Sequence, residues 1–422
     1  MKKQIILAVA AVLGLSAPMH AQQIAHAQQI AHAQQIEHAQ QIAHAQQIEH
    51  AQQIETVLQQ IEQNNKELQA QQQLTKAAKL EVRTQNNLGD PSISYSPFFG
   101  KGIDGVASSE MAVSMGFDFP TLYAARHQAG NMQHRFLDHQ QQGIRRTILL
   151  QAKNLCLDLI RLNQEHELLM ARSKNAQMLL ELFEKRLEEG DASALDVNKI
   201  KMERMNVQTE VARNNAAHRT ALQQLMAMNA NMPLEFAGMT YPKVERVRDY
   251  NQLYDEVMAS DASVLAATAA VRAAEKNVSV NKQQWIPKFE VGYRRNTSLD
   301  EHFNGLLVGG SIPLFSNRKK VQIAKAQAIS SQLSLDNARL QVEAAVQSQF
   351  NEIQQLREAL DAYDVALMHE TLDMLNEAVT SGHLSVIAYY VEADNVYKNL
   401  AAYMEVENQY QKVMAEVYKS RL

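Results

Sequence analysis

A mainly α-helical, elongated fold with a small β part is predicted by three features of this sequence. Glycine and proline are scarce, 15 and 8 in 422 residues, while Ala, Gln, Leu, Glu and Lys dominate, a composition that favours long helices. The intervals Pro120–Gly190 and Pro313–Gly382, 70 and 69 residues long, contain no internal proline and keep a helical period. Ahead of each lies a pair of short segments that alternate large apolar with small or polar residues.

The chain opens with a stretch that reads as a secretory signal over residues 1–21: Lys2 and Lys3, an apolar run from Ile5 to Leu15, and an end at Ala21. That run is too short to span a bilayer, and no cysteine follows it to carry a lipoprotein anchor. No later stretch approaches twenty apolar residues, so export without a transmembrane helix is expected. Residues 22–53 repeat the unit AQQI(A/E)H and place His26, His32, His38, His44 and His50 at intervals of six. Six residues advance a helix by about 600°, so neither the histidines nor the isoleucines form a stripe. A metal-collecting arm is one reading; a repeat expanded without a structural job is the better one. Elsewhere no metal site or cofactor is expected. The lone Cys156 excludes an intrachain disulfide and reads as a small buried filler. A net charge of −5 gives no electrostatic case for nucleic acid.

The rest of the chain contains itself twice. PSISYS at Pro91 and PKFEVGYR at Pro287 lie 196 residues apart, GFDFP at Gly116 and GGSIP at Gly309 lie 193 apart, and the glycines opening GDASALDV (Gly190) and GHLSVIAYYV (Gly382) lie 192 apart. The first repeat is therefore expected over 54–246, with a β-hairpin at about 91–119, a long helix at 121–189, a return helix and an irregular linker from Asn231 to Arg246. The second is expected over 247–422, with a hairpin at about 287–313, a long helix at 315–381 and a return helix. The stripe Val346, Phe350, Ile353, Leu356, Leu360, Tyr363 and Leu367 supports that second rod, as Ile144, Ile148, Leu155, Leu159, Leu162 and Leu169 support the first. Each rod would be roughly 100 Å long at 1.5 Å per residue, and so must pack along its length as coiled coils do. Two shorter helices stacked end to end can flank each rod, with the linker near mid-height.

In the hairpins, Met111, Val113, Met115 and Phe117 alternate with Ala112, Ser114 and Gly116, and Phe289, Val291 and Tyr293 alternate with Lys288, Glu290, Gly292 and Arg294. Ile93 and Tyr95 alternate with serines in the first strand; Leu306 and Val308 alternate less cleanly in the fourth. Such strands suit a barrel wall with lipid outside and water inside; two hairpins packed on a soluble helical domain are the other option. Four strands cannot enclose a pore, and an open edge is not tolerated in lipid, so the barrel reading demands several subunits. Trp285, Phe119 and Phe315 fall where strand meets helix and fit an aromatic belt, although Phe119 serves equally well as core.

Several phrases resemble the TolC-like outer-membrane efflux protein family: IEQNNKELQAQQQLTKAAKLEV at 61–82, SIPLFSNRKKVQIAKAQA at 311–328, Gly190 with Leu195-Asp196-Val197, and Gly382 with Leu384-Ser385. The resemblance covers about residues 54–420. It implies a homotrimer in the outer membrane, with a 12-stranded β-barrel built from four strands per chain on a long periplasmic α-helical barrel. It also implies partners, a periplasmic adaptor and an inner-membrane pump, and a passive conduit for small toxic solutes rather than an enzyme. The two tip glycines, Gly190 and Gly382, would mark the pore entrance. Family members carry acidic residues six and nine positions past the second tip glycine; here those positions hold Ala388 and Val391. In the first repeat the sixth position is Asp196, the candidate for an acidic ring, with Glu392 and Asp394 secondary. An exposed carboxylate in a helix's first turn is the competing account of Asp196.

No nucleotide loop or nucleophile motif is visible, and the neighbours Glu188 and Glu189 read as a solvated helix face. The other functions consistent with the sequence are an outlet for secreted polypeptide and a soluble periplasmic coiled-coil scaffold or metal-binding protein. Eighteen methionines hint at copper, but Met202, Met205, Met226 and Met228 fit helix packing at least as well.

Overall fold

The computed structural model describes residues 53–102, 104–298 and 301–422. The signal segment and the arm through Gln52, with its five histidines, lie outside the described residues. Helices α1 (53–64) and α2 (Lys66–Thr84) lead into strands β1 (Ser92–Phe98) and β2 (Ser108–Phe117). Helix α3 (Pro120–Glu189) then runs without interruption for 70 residues. After it come α4 (Ala194–Met228), α5 (Tyr250–Ser260), α6 (Ala262–Gln283), β3 (Lys288–Ser298) and β4 (Glu301–Ser311). The chain continues through α7 (Lys320–Asp361), α8 (Val365–Thr380) and α9 (Val386–Val417).

Helix α3 has local signals at both ends. Pro120 sits in its first turn, where a missing N–H costs nothing. Gly190 ends it at φ 81°, and the N–H of Asp191 reaches back 2.7 Å to the Arg186 carbonyl, closing orphan acceptors in the last turn. At about 1.5 Å per residue the rod is about 105 Å long. Its buried stripe includes Leu149, Cys156, Leu159, Ile160 and Leu162 at mid-height and Leu179, Leu180 and Phe183 toward the Gly190 end. Cys156 is fully buried there, and burial pushes its thiol up to about 12, so it packs as a small apolar residue.

The second rod differs from expectation. It starts at Lys320 and is broken at 362–364, so no single helix spans 315–381. Asp364 caps α8 by accepting the Leu367 N–H at 2.9 Å, while the N–H groups of Ala362 and Tyr363 close back onto Ala359 and Leu360. The break shifts the helical phase, and Leu367, expected on the packing stripe, is 57% exposed. Two shorter helices are also divided where one was expected. Asn65 separates α1 from α2 by capping Leu68, and Asp261 separates α5 from α6 by capping Ser263 and Val264, with a bend of 50°. The linker is longer than expected, irregular from Asn229 to Asp249, with Ala230 and Asn231 left-handed.

Around α3 the shorter helices stack in pairs: α2 and α6 pack on its strand-end half, α4 and α9 on the other. Helix α7 packs on α5, α6 and α9, and α8 on α9. The α2-over-α4 junction is sealed. Asn64 Nδ2 donates to Asn229 Oδ1 (3.0 Å) and Asn65 Nδ2 to the Met228 carbonyl (2.9 Å), over a core of Ile61, Leu149, Leu157, Leu225 and Phe236. Asn163 and Gln164 of α3 clamp the linker by donating to the carbonyls of Gly238 and Met239. Met226 and Met228 pack against this core, whereas Met202 and Met205 are exposed within the protomer.

Candidate functional site

The sheet is antiparallel in the order β1-β2-β3-β4, leaving β1 and β4 as open edges. Its register sorts the side chains cleanly. Ile93, Val113, Tyr293 and Leu306 stand in one cross-strand row, and Met115, Val291 and Val308 in another, all on the same face. The opposite face carries Ser94, Ala112 and Arg294 in one row and Ser92, Ser114 and Gly292 in the next, and across it Arg294 pairs with Glu110 at 3.2 Å. The sorting breaks down toward the β3–β4 turn and at two other positions: Arg295, Asn304 and His302 stand on the apolar face, and Phe98, Phe303 and Leu307 on the polar one. Soluble hairpins would press the apolar face onto the helices. Here Leu306 is 85% and Val308 80% exposed, so none of the described residues covers that face.

Below the sheet, Phe119 forms the N-cap position of α3 and lies 6.2 Å, ring to ring, from Phe289. Trp285 and Phe315 are exposed at the same boundary, where Asn317 donates to the Gln284 carbonyl and Lys319 takes a left-handed φ of 66° to turn the chain into α7. Inward of the aromatics, Asp118 binds Arg126 (2.8 Å) and Lys288 (3.5 Å).

At the far end the two helix turns share one design. Gly190 and Gly382 have φ of 81° and 83°, a conformation in which any other residue would be strained. Three residues later Ser193 and Ser385 cap α4 and α9. Arg186 joins the turns through a 2.6 Å hydrogen bond to the Thr380 carbonyl, over a shared core of Phe183, Val197, Ile200, Val379 and Tyr389. Asp196 occupies the third helical position and completes a capping box, accepting from the Ser193 N–H (3.1 Å) and hydroxyl (2.6 Å). Its counterpart in the second turn is Ala388, whose N–H is capped by Ser385.

The other tip candidates do not gather around Asp196. Glu392 is exposed on α9. Asp394 faces Lys398 (2.7 Å) and Arg172 (3.8 Å). Arg172 is a residue that sequence reasoning missed. Its side chain is 11% exposed, pairs with Glu203 (2.6 Å) and Glu210 (3.1 Å), and lies 4.8 Å over the Tyr397 ring. One turn further on, Asn175 donates to the Tyr389 hydroxyl, and burial raises the phenols of Tyr389, Tyr390 and Tyr397 above their usual value. This polar knot ties α3 to α4 and α9. No local signal announces it, because the partners of Arg172 lie 31 to 225 residues from it along the chain. Among the described residues no three metal-ligating side chains cluster, and no single helix is long and apolar enough to cross a membrane.

A wall of stacked helices ending in a sheet with an uncovered apolar face is the architecture of a membrane-channel subunit. Comparison with known proteins narrows the class. Residues 253–420 match the family model for outer membrane efflux proteins. No curated protein matches the chain by sequence. In fold it is similar to a membrane protein from Pseudomonas aeruginosa, with a TM-score of 0.71 at 15% identity over 87% of this chain and 93% of that one. It is also similar to the outer-membrane channel OprN (0.69, 13%, covering 87% and 89%) and to the outer membrane protein VceC from Vibrio cholerae (0.63, 15%, covering 87% and 96%). Residues 253–420 thus resemble the outer membrane efflux protein family, and over most of its length the chain has the fold of TolC-like outer-membrane channels.

Proposed function

We propose that three copies of this chain form a passive conduit through the outer membrane and periplasm. It would carry small toxic solutes, drugs or metal ions, delivered by an inner-membrane pump through a periplasmic adaptor. On this reading residues 1–21 direct export, the repeats 54–246 and 247–422 each supply one hairpin and one set of rods, and the sheets join edge to edge in lipid. Trp285, Phe119 and Phe315 then sit at the inner membrane face, and the tip residues Gly190, Asp196, Gly382, Glu392 and Asp394 belong to the entrance.

The observation that carries the proposal is the sheet, with its bare apolar face and two open edges, a form that lipid tolerates only after closure. The helices support it. Ile329, Leu333 and Leu340 share an exposed face of α7, and Leu74 and Leu80 of α2 with Leu195, Met202 and Met205 of α4 are exposed on helices that do not pack on α7 or α8. Two different apolar stripes make a head-to-tail contact that closes into a ring.

The test is to extract the protein from membranes and to measure its mass and its conductance in planar bilayers. Heat-resistant trimers that need detergent and conduct ions are expected. A monomer released without detergent would remove the proposal. For the entrance, Gly190→Pro is expected to abolish export with the barrel still assembled, and export at the parental rate would refute the tip assignment.

A further inference from the structure

The second stacked junction, α6 over α9, is not sealed as the first is. Between α3 and α7, where α6 begins and α9 ends, the wall holds a half-open cavity of about 660 Å³. That volume is in the range of pockets that take drug-sized molecules, about 300–1,000 Å³. One side is apolar, with Ile148 of α3, Ala262 of α6, and Val342 and Val346 of α7. The α3 face of the cavity presents His139, Gly143 and Arg146, which recur at helical spacing, and at Gly143 the missing side chain lets Ala262 of α6 approach closely.

The charges around the cavity are unevenly satisfied. Elsewhere on α3, Arg126, Arg145, Arg161 and Arg172 each meet a carboxylate, while Arg135 and Arg186, which line no cavity with an apolar wall, do not among the described residues. Arg146 meets none within 4.0 Å among the described residues; its one hydrogen bond there runs from NH1 to the Ser260 carbonyl at 2.8 Å. His139 lines the same space with Nδ1 buried and without a hydrogen-bond partner. The acids nearby are occupied or peripheral. Asp261 caps Ser263 and Val264, Glu416 pairs with Lys419 at 3.0 Å, and Glu67 is exposed at the rim.

We propose that this cavity binds an amphipathic carboxylate, its headgroup on Arg146 and His139 and its apolar body against Ile148, Val342 and Val346. A guanidinium offers a carboxylate two parallel N–H donors, and a half-buried cation without an acid is a place where such a partner gains most. A small inorganic anion would leave most of the cavity unfilled and the apolar wall wet. The site goes beyond the conduit reading, since a passive pipe needs no binding pocket in its wall.

The experiment uses the full chain in lipid nanodiscs and the fluorescent probe 11-(dansylamino)undecanoate, with empty discs subtracted and the probe's methyl ester as the neutral control. Saturable binding of the acid is expected, at least about tenfold tighter than the ester, with Arg146→Gln weakening the acid by about tenfold and leaving the ester unchanged. Ala345→Phe narrows the cavity without touching Arg146 and is expected to remove binding of both; it carries the test if Arg146→Gln does not assemble. Equal binding of acid and ester, parental binding by a well-assembled variant, or no saturable binding overturns the proposal. Bilayer conductance is read on the same samples, so a conducting channel that ignores the probe sinks the pocket and spares the conduit, whereas a non-conducting protein that binds the probe does the reverse.

Discussion

The two long rods of this chain differ in how much of their apolar surface the protomer itself covers. Helix α3 is continuous and buries 16 of its 70 residues inside the protomer. Helices α7 and α8 together bury five, Ala324, Leu335, Val346, Ile353 and Val379, and leave Ile323, Ile329, Leu333, Leu340, Leu367 and Met374 exposed. The difference is one of position in the wall. Helices α1, α2, α4, α6 and α9 of the same chain all pack on α3, whereas α7 packs on α5, α6 and α9 and α8 on α9. A rod with an apolar stripe and no partner is built for a partner from elsewhere.

The largest effect that would break this contrast comes from the exposed stripe. Leu333→Glu with Leu340→Glu is expected to abolish trimers while leaving the far-UV helical signal of the protomer intact; trimers that survive the pair would mean that α7 is not a subunit contact. Thiol accessibility sharpens the same point. Buried Cys156 is expected to react with a maleimide at least about a hundredfold more slowly than a cysteine placed at Leu333 in an unassembled, Cys156→Ala background, and assembly is expected to protect the Leu333 site but not to alter Cys156. Equal rates in the free protomer would erase the distinction. Leu159→Ala, in the fully buried stripe of α3, is expected to cost about 2–5 kcal/mol in chemical denaturation, against about 0.5 kcal/mol or less for Leu333→Ala in the protomer. The smallest effect belongs to the break itself. Asp364→Ala removes a cap and is expected to cost about 1 kcal/mol, seen as faster amide exchange confined to the first turn of α8; a change spread along α7 would point to a different role for the break.

What the sequence disclosed follows the range of its signals. Pro120 and Gly190 punctuate α3 locally, and the helix begins and ends on them. The alternation in β2 and β3 was legible because a sheet with one dry face has period two, and the register places those residues as the alternation implied. The break at 362–364 has no proline or glycine to announce it, only an aspartate cap inside an otherwise unbroken apolar stripe, so periodicity ran straight through it. Asn65 and Asp261 hid the same way. At the tip the glycines are readable from their context, and so is the spacing of the Ser193–Asp196 capping box, which gives Asp196 a structural partner in its own helix turn. The Arg172 knot and the Arg146 cavity depend on pairings across the fold, which single-chain spacing does not encode.

The open edges of the sheet have a consequence in mass action. Strands β1 and β4 leave backbone donors and acceptors that, on the proposed trimer, another copy's strand completes, and until then the apolar face would have no acceptable solvent. The sheet's stability is therefore tied to how many copies are present in the same place at the same time. A cell that makes too little of this protein would hold not a smaller number of good channels but a disproportionate share of incomplete ones, and the yield of finished channels should rise more steeply than the amount of chain synthesised.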